Sequence, residues 1–312
     1  MVGGGDIIEN IFLKRLLAVG IIVLFVGISV ISSNANFLNV NISTDDEVFS
    51  IPLDSRDIIY VDDDNTEGPW DGTNEHPYQY IQDGVDNAFE DDKIYVFNGT
   101  YYENIIININ FIDLTGEDKT TTIIDGSGTD NVIFLDNYGY GVSIHGFTIQ
   151  NGDIGIYSDS NSNKIYNNII YKNNGYGIQN WGHYNTISRN NFLYNGGGGF
   201  FLDGGIFISN FNNKISYNNF SNNTCGISIY VGLFTIITKN NFINNAKNAY
   251  FYHAAFKLPN QWKSNYWDDW DGTGPKMIKG YLEIESKDVY SYDWKPARNP
   301  YDITNFQGCG IE

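Results

Sequence analysis

The chain has 312 residues, with 18 Lys and Arg against 37 Asp and Glu for a formal net charge of −19, and 16% of its residues are aromatic. Phosphate binding needs a basic surface, so this balance argues against nucleic acid and anionic lipid headgroups and leaves cations as the ionic partners. Two cysteines, Cys225 and Cys309, form neither a disulfide framework nor a CxxC motif, and 18% charged residues with abundant aromatics exclude a disordered acidic tail.

Lys14-Arg15 precedes the apolar or small run Leu16 to Ile31 and then Ser32-Ser33-Asn34-Ala35. A basic, an apolar and a small-residue region in that order read as an export signal cleaved after Ala35, with an uncleaved anchor over residues 11–31 as the alternative. Both place the rest of the chain outside the cytoplasm, in the cell envelope or beyond it. Residues 1–35 are therefore leader or anchor, and the polar, aperiodic residues 36–57 are a linker.

Ile58-Ile59-Tyr60-Val61 is the first predicted strand. Ile81, Val85, Ala88 and Phe89 then fall at i, i+4, i+7 and i+8, one apolar stripe on a short helix. Such a helix closes the open end and unpaired edge of a repeat domain, so residues 58–110 read as an N-terminal cap and first coil. Strand-like runs follow at 93–97, 104–107, 122–124, 132–135 and 142–144, punctuated by Gly and Asp as turns require.

Between Ile165 and Asn245 the unit Ile-x-x-Asn-x-Ile/Phe-x-x-Asn appears four times, starting at Ile165, Ile187, Ile215 and Ile237. Gly155-Ile156, Gly177-Ile178, Gly205-Ile206 and Gly226-Ile227 add a second apolar step per period. Short strands at a fixed period of twenty to thirty residues signal a β-solenoid, whose coils rise about 4.8 Å each, so like residues stack in columns. The stacks predicted to point inward are Ile165, Ile187, Ile215, Ile237 and Ile170, Phe192, Phe220, Phe242. Asn168, Asn190, Asn218 and Asn240 form a structural Asn ladder at a turn, where Asn tolerates left-handed angles and its amide bonds the next Asn. Residues 111–257 form the repeats, roughly seven coils in a stack near 35 Å. Extra residues around Gly196 to Phe201 are extruded as a loop.

After Tyr250 the period fails. Trp262, Tyr266, Trp267, Trp270 and Trp294 crowd among prolines at 259, 275, 296 and 300, which predicts an irregular Trp-rich cap over residues 258–312.

Several stretches resemble right-handed parallel β-helix proteins of the pectin-lyase-like group: Ile59-Tyr60-Val61-Asp62-Asp63-Asp64, Pro77-Tyr78, Ile81-Gln82, and Lys93 through Ile105. Asn265-Tyr266-Trp267-Asp268-Asp269-Trp270 with Gly274-Pro275 resembles the ending of the NosD family, whose members include an accessory protein of a copper enzyme and many surface proteins. The resemblance covers about residues 58–303. It implies an all-β fold, a right-handed parallel β-helix, and leaves lyases, hydrolases, epimerases, metalloenzyme assembly factors and noncatalytic surface proteins as functions.

Hydrolases of sugars need two carboxylates on one face, and uronate lyases need a base with a neutralising cation. Aligning the Gly-Ile steps puts Asp159, Trp181, Ser209 and Tyr230 in one outward column and Tyr157, Gln179, Phe207 and Ser228 in its neighbour. Only one carboxylate falls there. Asp159, Asp203 and Asp153 are the catalytic candidates, Asp136 with Asp153 and Asp203 being able to converge from other coils, and turn formation is the competing role. Tyr157, Trp181, Phe207 and Tyr230 are candidates for stacking on sugar rings, with packing under the glycine-rich loop as the alternative. Asp62, Asp64, Asp268 and Asp271 are oxygen ligands suited to Ca²⁺, although neither run has calcium-loop spacing. His76, His145, His183, His253 and Met277 are too scattered for a copper or zinc cluster. The reading is an exported surface module that binds glycans or neighbouring surface proteins, with polysaccharide lyase, hydrolase or epimerase as the alternative.

Overall fold

The computed structural model describes residues 57–198, 203–253 and 260–303. The leader or anchor, nearly all of the linker, and Cys309 lie outside the described residues. Among the described residues no helix is long and apolar enough to cross a membrane.

Each coil carries three short strands, and each strand pairs in parallel with its counterpart one coil away. The first ladder runs from Gly99–Tyr101 to Tyr266–Trp267 and has eight strands. The second runs from Ile105–Ile107 to Lys276–Leu282, and the third from Ile58–Val61 to Lys287–Asp293. These two form one eighteen-stranded sheet because the antiparallel hairpin Lys276–Leu282 with Lys287–Asp293 joins them at the far end. The chain is a parallel β-helix.

The period-two alternation of each strand sends one column inward. Ile165, Ile187, Ile215 and Ile237 are in register and buried, and so are Ile170, Phe192, Phe220 and Phe242. Trp267 continues the second stack, and the rings lie 4.8, 5.1 and 4.2 Å apart and nearly parallel. The glycine steps are explained by this stack. A Cβ on Gly205 would sit 2.7 Å from the Phe220 ring, and one on Gly226 2.8 Å from that of Phe242.

Asn168, Asn190, Asn218 and Asn240 are fully buried in one ladder. The backbone N–H and Nδ2 of each donate to Oδ1 of the Asn one coil on, and Nδ2 also reaches a carbonyl one coil back. These bonds engage the ladder N–H groups and inward carbonyls at each turn. The left-handed residue is not the ladder Asn but the one before it: Asn167, Arg189, Tyr217, Lys239 and Ser264 have φ of 54, 57, 56, 57 and 56°. That residue turns the chain, which frees the Asn to project inward.

Asn173, Asn195, Asn223 and Asn245 make a second ladder of the same kind. Asn163, Asn185 and Asn213 make a third, which the repeat unit does not reveal. Thr235 occupies the next rung below Asn260, fully buried, with no hydrogen-bond partner for Oγ1 among the described residues. An Asn there continues the series, its Nδ2 reaching the carbonyl of Asn210 as Asn213 reaches Gly182 and Asn260 reaches Gly232. Thr235→Asn is expected to stabilise the protein by about 1 kcal/mol, read as a raised urea midpoint at unchanged slope.

Both ends differ from the sequence reading. Ile81, Val85 and Ala88 pack under the first coil, but the helix is only Ile81–Asp86, so Phe89 falls beyond it and is 77% exposed. The helix start is held by Glu103, which accepts the N–H groups of Ile81 and Gln82 at 2.8 and 2.9 Å. The Trp-rich end is not irregular: Trp262 stacks in register on Ile237 and Trp267 on Phe242, so the coil continues, and the hairpin covers it. Aromatic side chains substitute there for the Ile and Phe of earlier coils, which conceals the period. Counting coils of three strands from Gly99 to Asp293 gives about eight, a stack near 38 Å at about 4.8 Å per coil.

Candidate functional site

The outward side of the second ladder gathers the most chemistry. Tyr157, Gln179, Phe207, Ser228 and Tyr250 are in register in one column. The next outward positions hold Asp136, Asp159, Trp181, Ser209, Tyr230, Tyr252 and Tyr281, the last three in direct register. Ser209 is small and buried, so the ring of Phe207 leans into its place. The result is a strip: Trp181 to Phe207 at 5.1 Å, Phe207 to Tyr230 at 6.2 Å, Tyr230 to Tyr252 at 5.0 Å and Tyr252 to Tyr281 at 6.1 Å. Tyr230 is 42% exposed. Tyr252 hydrogen-bonds Glu283, which with partial burial pushes its hydroxyl up to about 12.

Tyr157 does not join the strip. It packs edge-on against Phe134 at 5.5 Å and its hydroxyl meets Asp159. Asp159 is raised above the usual carboxylate range, first by burial and then by the charge of Asp136, against the lowering effect of that hydroxyl. Asp136 is thus a second carboxylate on this face, one coil from Asp159. Its sequence signal was the alignment of Leu135-Asp136 with Ser158-Asp159, one period before the clear repeat. Tyr252 and Tyr281 were missed because they lie beyond the apparent end of the period.

The other acidic candidates are separate. Asp153 and Asp159 flank opposite ends of the strand Ile154–Ser158, a span of about 20 Å at 3.3 Å per residue. Asp203 is buried and accepts the hydroxyl of Tyr176, whose ring packs on Phe207 at 5.3 Å. The structure brings neither to Asp159.

The calcium candidates are engaged locally. Asp62 accepts the N–H of Asp64, Asp268 accepts Asn244 N–H and Asn248 Nδ2, and Asp271 accepts both groups of Thr273. The first two stand at one end of the stack and the last two at the other. Among the histidines, His76 faces Asp71 at 3.4 Å, His183 stacks on Phe211 at 5.2 Å, and His253 is buried. His145 Nε2 meets Asp113 at 3.1 Å and the Thr115 hydroxyl at 3.0 Å. Both contacts use one ring nitrogen, so no proton relay through the imidazole is formed. The Cys225 thiol is buried and pushed up to about 12.

Among solved structures the fold is similar to an alginate lyase from Paenibacillus sp. str. FPU-7, at 16% identity and a TM-score of 0.45 over 61% of this chain and 85% of that one. It is also similar to a pectin methylesterase from carrot, at 14% identity and a TM-score of 0.39 over 72% and 80%. For a pectin methylesterase from Aspergillus niger the values are 15% and 0.28 over 78% and 68%. No curated protein sequence matches the chain. The family described as periplasmic copper-binding protein (NosD) matches residues 85–272. That stretch begins at the end of the capping helix and takes in every complete Asn rung and the Asn-Tyr-Trp ending, and over more than half its length the chain belongs to the NosD family.

Proposed function

We propose that the protein is an exported, envelope-associated β-helix whose second-ladder face binds glycans or a neighbouring surface protein without turning them over. The periplasmic description of the family supports export. The observation that carries binding is the strip from Trp181 to Tyr281, aromatic rings repeated at the coil spacing on the outward face, with Tyr230 exposed and the others half-buried. Exposed aromatic surface is costly to maintain and stacks well on the apolar faces of pyranose rings. Screening the purified protein on immobilised neutral and acidic glycans tests this: retention with no release of reducing ends or unsaturated products is the expected result, and release of either contradicts the noncatalytic reading.

One observation favours a second reading, glycoside hydrolysis. Asp136 and Asp159 are carboxylates on adjacent coils, and the raised Asp159 is suited to donate a proton. Product formation abolished by Asp159→Asn, with binding retained, would establish it. Arg189 is the only arginine of the repeats, at a turn, so nothing here suits uronate elimination.

The copper in the family description finds no matching donor set. The imidazoles stand on separate turns, Met277 is exposed on the hairpin and Cys225 is a buried thiol. Among the described residues no three His, Cys, Asp or Glu side chains converge on a metal position. Copper binding or delivery is therefore not part of this proposal.

A further inference from the structure

At the far end of the third ladder, away from the aromatic strip, an open cavity of about 690 Å³ is lined by residues 260–263, 291, 292, 294 and 295, among them Gln261, Lys263, Tyr292, Trp294 and Lys295. Three features set it apart. Trp294 is 71% exposed and stands 5.4 Å from Tyr292 at 39°, so the two rings make an angled apolar wall rather than a flat slot. Lys263 and Lys295 are exposed and form no ion pair among the described residues. No carboxylate lines the cavity: neighbouring Asp293 is fully buried and accepts five N–H groups from the interior side. In a chain of net charge −19, a concave site with two unpaired ammonium groups and no acid is a local reversal of sign.

We propose that this groove is a binding site for an acidic saccharide carrying a carboxylate. The chemistry divides cleanly. The Trp294 and Tyr292 faces cover the C–H face of a sugar ring, the two ammonium groups take the carboxylate, and the Gln261 amide and Ser291 hydroxyl meet ring hydroxyls. The Asn260 amide is not available, since it is held by Thr235 N–H and the Gly232 carbonyl. An anion without an apolar face would leave the exposed indole uncovered, and a neutral sugar would leave the lysines unanswered. The site stands apart from the strip, so neither depends on the other.

Affinity electrophoresis or calorimetry with polygalacturonate oligomers tests it. The controls are the same oligomers with carboxylates reduced to alcohols, and polyglutamate as an acidic chain lacking sugar rings. The uronate is expected to bind, with affinity falling as salt rises. The reduced oligomer and polyglutamate are each expected to bind at least about tenfold more weakly. Lys263→Glu with Lys295→Glu, and separately Trp294→Ala, are expected to reduce uronate affinity about tenfold or more, while Tyr230→Ala leaves it unchanged. All these positions are exposed, so the fold survives. Equal binding of the reduced oligomer, equal binding of polyglutamate, or unchanged affinity in the lysine variant would overturn the site. Loss in Tyr230→Ala alone would move the ligand to the strip and overturn this inference while leaving the proposed function intact.

Discussion

Asn218→Leu is expected to remove most of the protein's stability. Asn218 is fully buried; its N–H and Nδ2 donate to Asn240 Oδ1 at 2.9 and 3.1 Å, Nδ2 also meets the Ile187 carbonyl, and its Oδ1 receives two donors from Asn190. Leucine keeps the backbone N–H donated to Asn240 but strands the N–H and Nδ2 of Asn190 and the Ile187 carbonyl, and removes the second donor to Asn240. At about 1–3 kcal/mol per stranded group the loss is roughly 4 kcal/mol or more, against a typical total of about 5–15. Asn219 is the control. It points outward, half-buried, with one amide bond to Asn191 at 2.8 Å, so Asn219→Leu is expected to cost about 1 kcal/mol. Thermal unfolding separates them: the Asn218 variant melts roughly 10 °C lower or more, and equal melting temperatures would mean the ladder contributes nothing.

Asp293 carries the second large effect. Each Asn rung accepts from the coil below and donates to the coil above, so the last rung needs acceptors and has nothing to donate to. Aspartate meets that requirement, because an ionised carboxylate only accepts. Its oxygens take Ser264 N–H, Asn265 N–H, Asn265 Nδ2, Trp267 Nε1 and Lys295 N–H at 2.8 to 3.2 Å. Asp293→Ala strands most of these donors and is expected to cost about 4 kcal/mol or more. Asp293→Asn keeps one oxygen but turns an amide N–H₂ toward Ser264 and Lys295 N–H, for a smaller loss of about 2 kcal/mol. Urea unfolding monitored by tryptophan fluorescence gives the order parent, Asn, Ala; an Asn variant as stable as the parent would show that acceptor-only chemistry is not needed there.

The central coils were legible because their columns repeat identity: Ile over Ile, Phe over Phe, Asn over Asn. Where the column keeps its volume but changes residue type, the signal fades. Trp262 and Trp267 fill the positions of Ile237 and Phe242, and so the last coil read as a plug. Phe89 fitted a helical stripe by spacing, but the helix stops at Asp86. The third Asn ladder was hidden by Thr235 and by unequal loops between its rungs. At the candidate site, Trp181, Phe207 and Tyr230 were placed on one face by register alone. Asp136 was among the carboxylates able to converge, but setting it beside Asp159 required pairing across a coil with no Asn signature, and Asp203 required knowing that Tyr176 takes its carboxylate. Chemistry that depends on which side chain leans toward which is set by packing between coils, and that is absent from the period.

The strip itself is tested most directly by calorimetric titration of the oligosaccharide retained in the glycan screen, using the parent and a Tyr230→Ala, Tyr252→Ala double variant, with Tyr230→Phe, Tyr252→Phe alongside. Two stacked rings contribute about 0.5–1.5 kcal/mol each beyond their buried area, so the alanine variant should bind roughly fivefold to 150-fold more weakly while the phenylalanine variant stays near the parent. Parent-like affinity in the alanine variant, with its melting temperature unchanged, would contradict the assignment of this face as the binding surface.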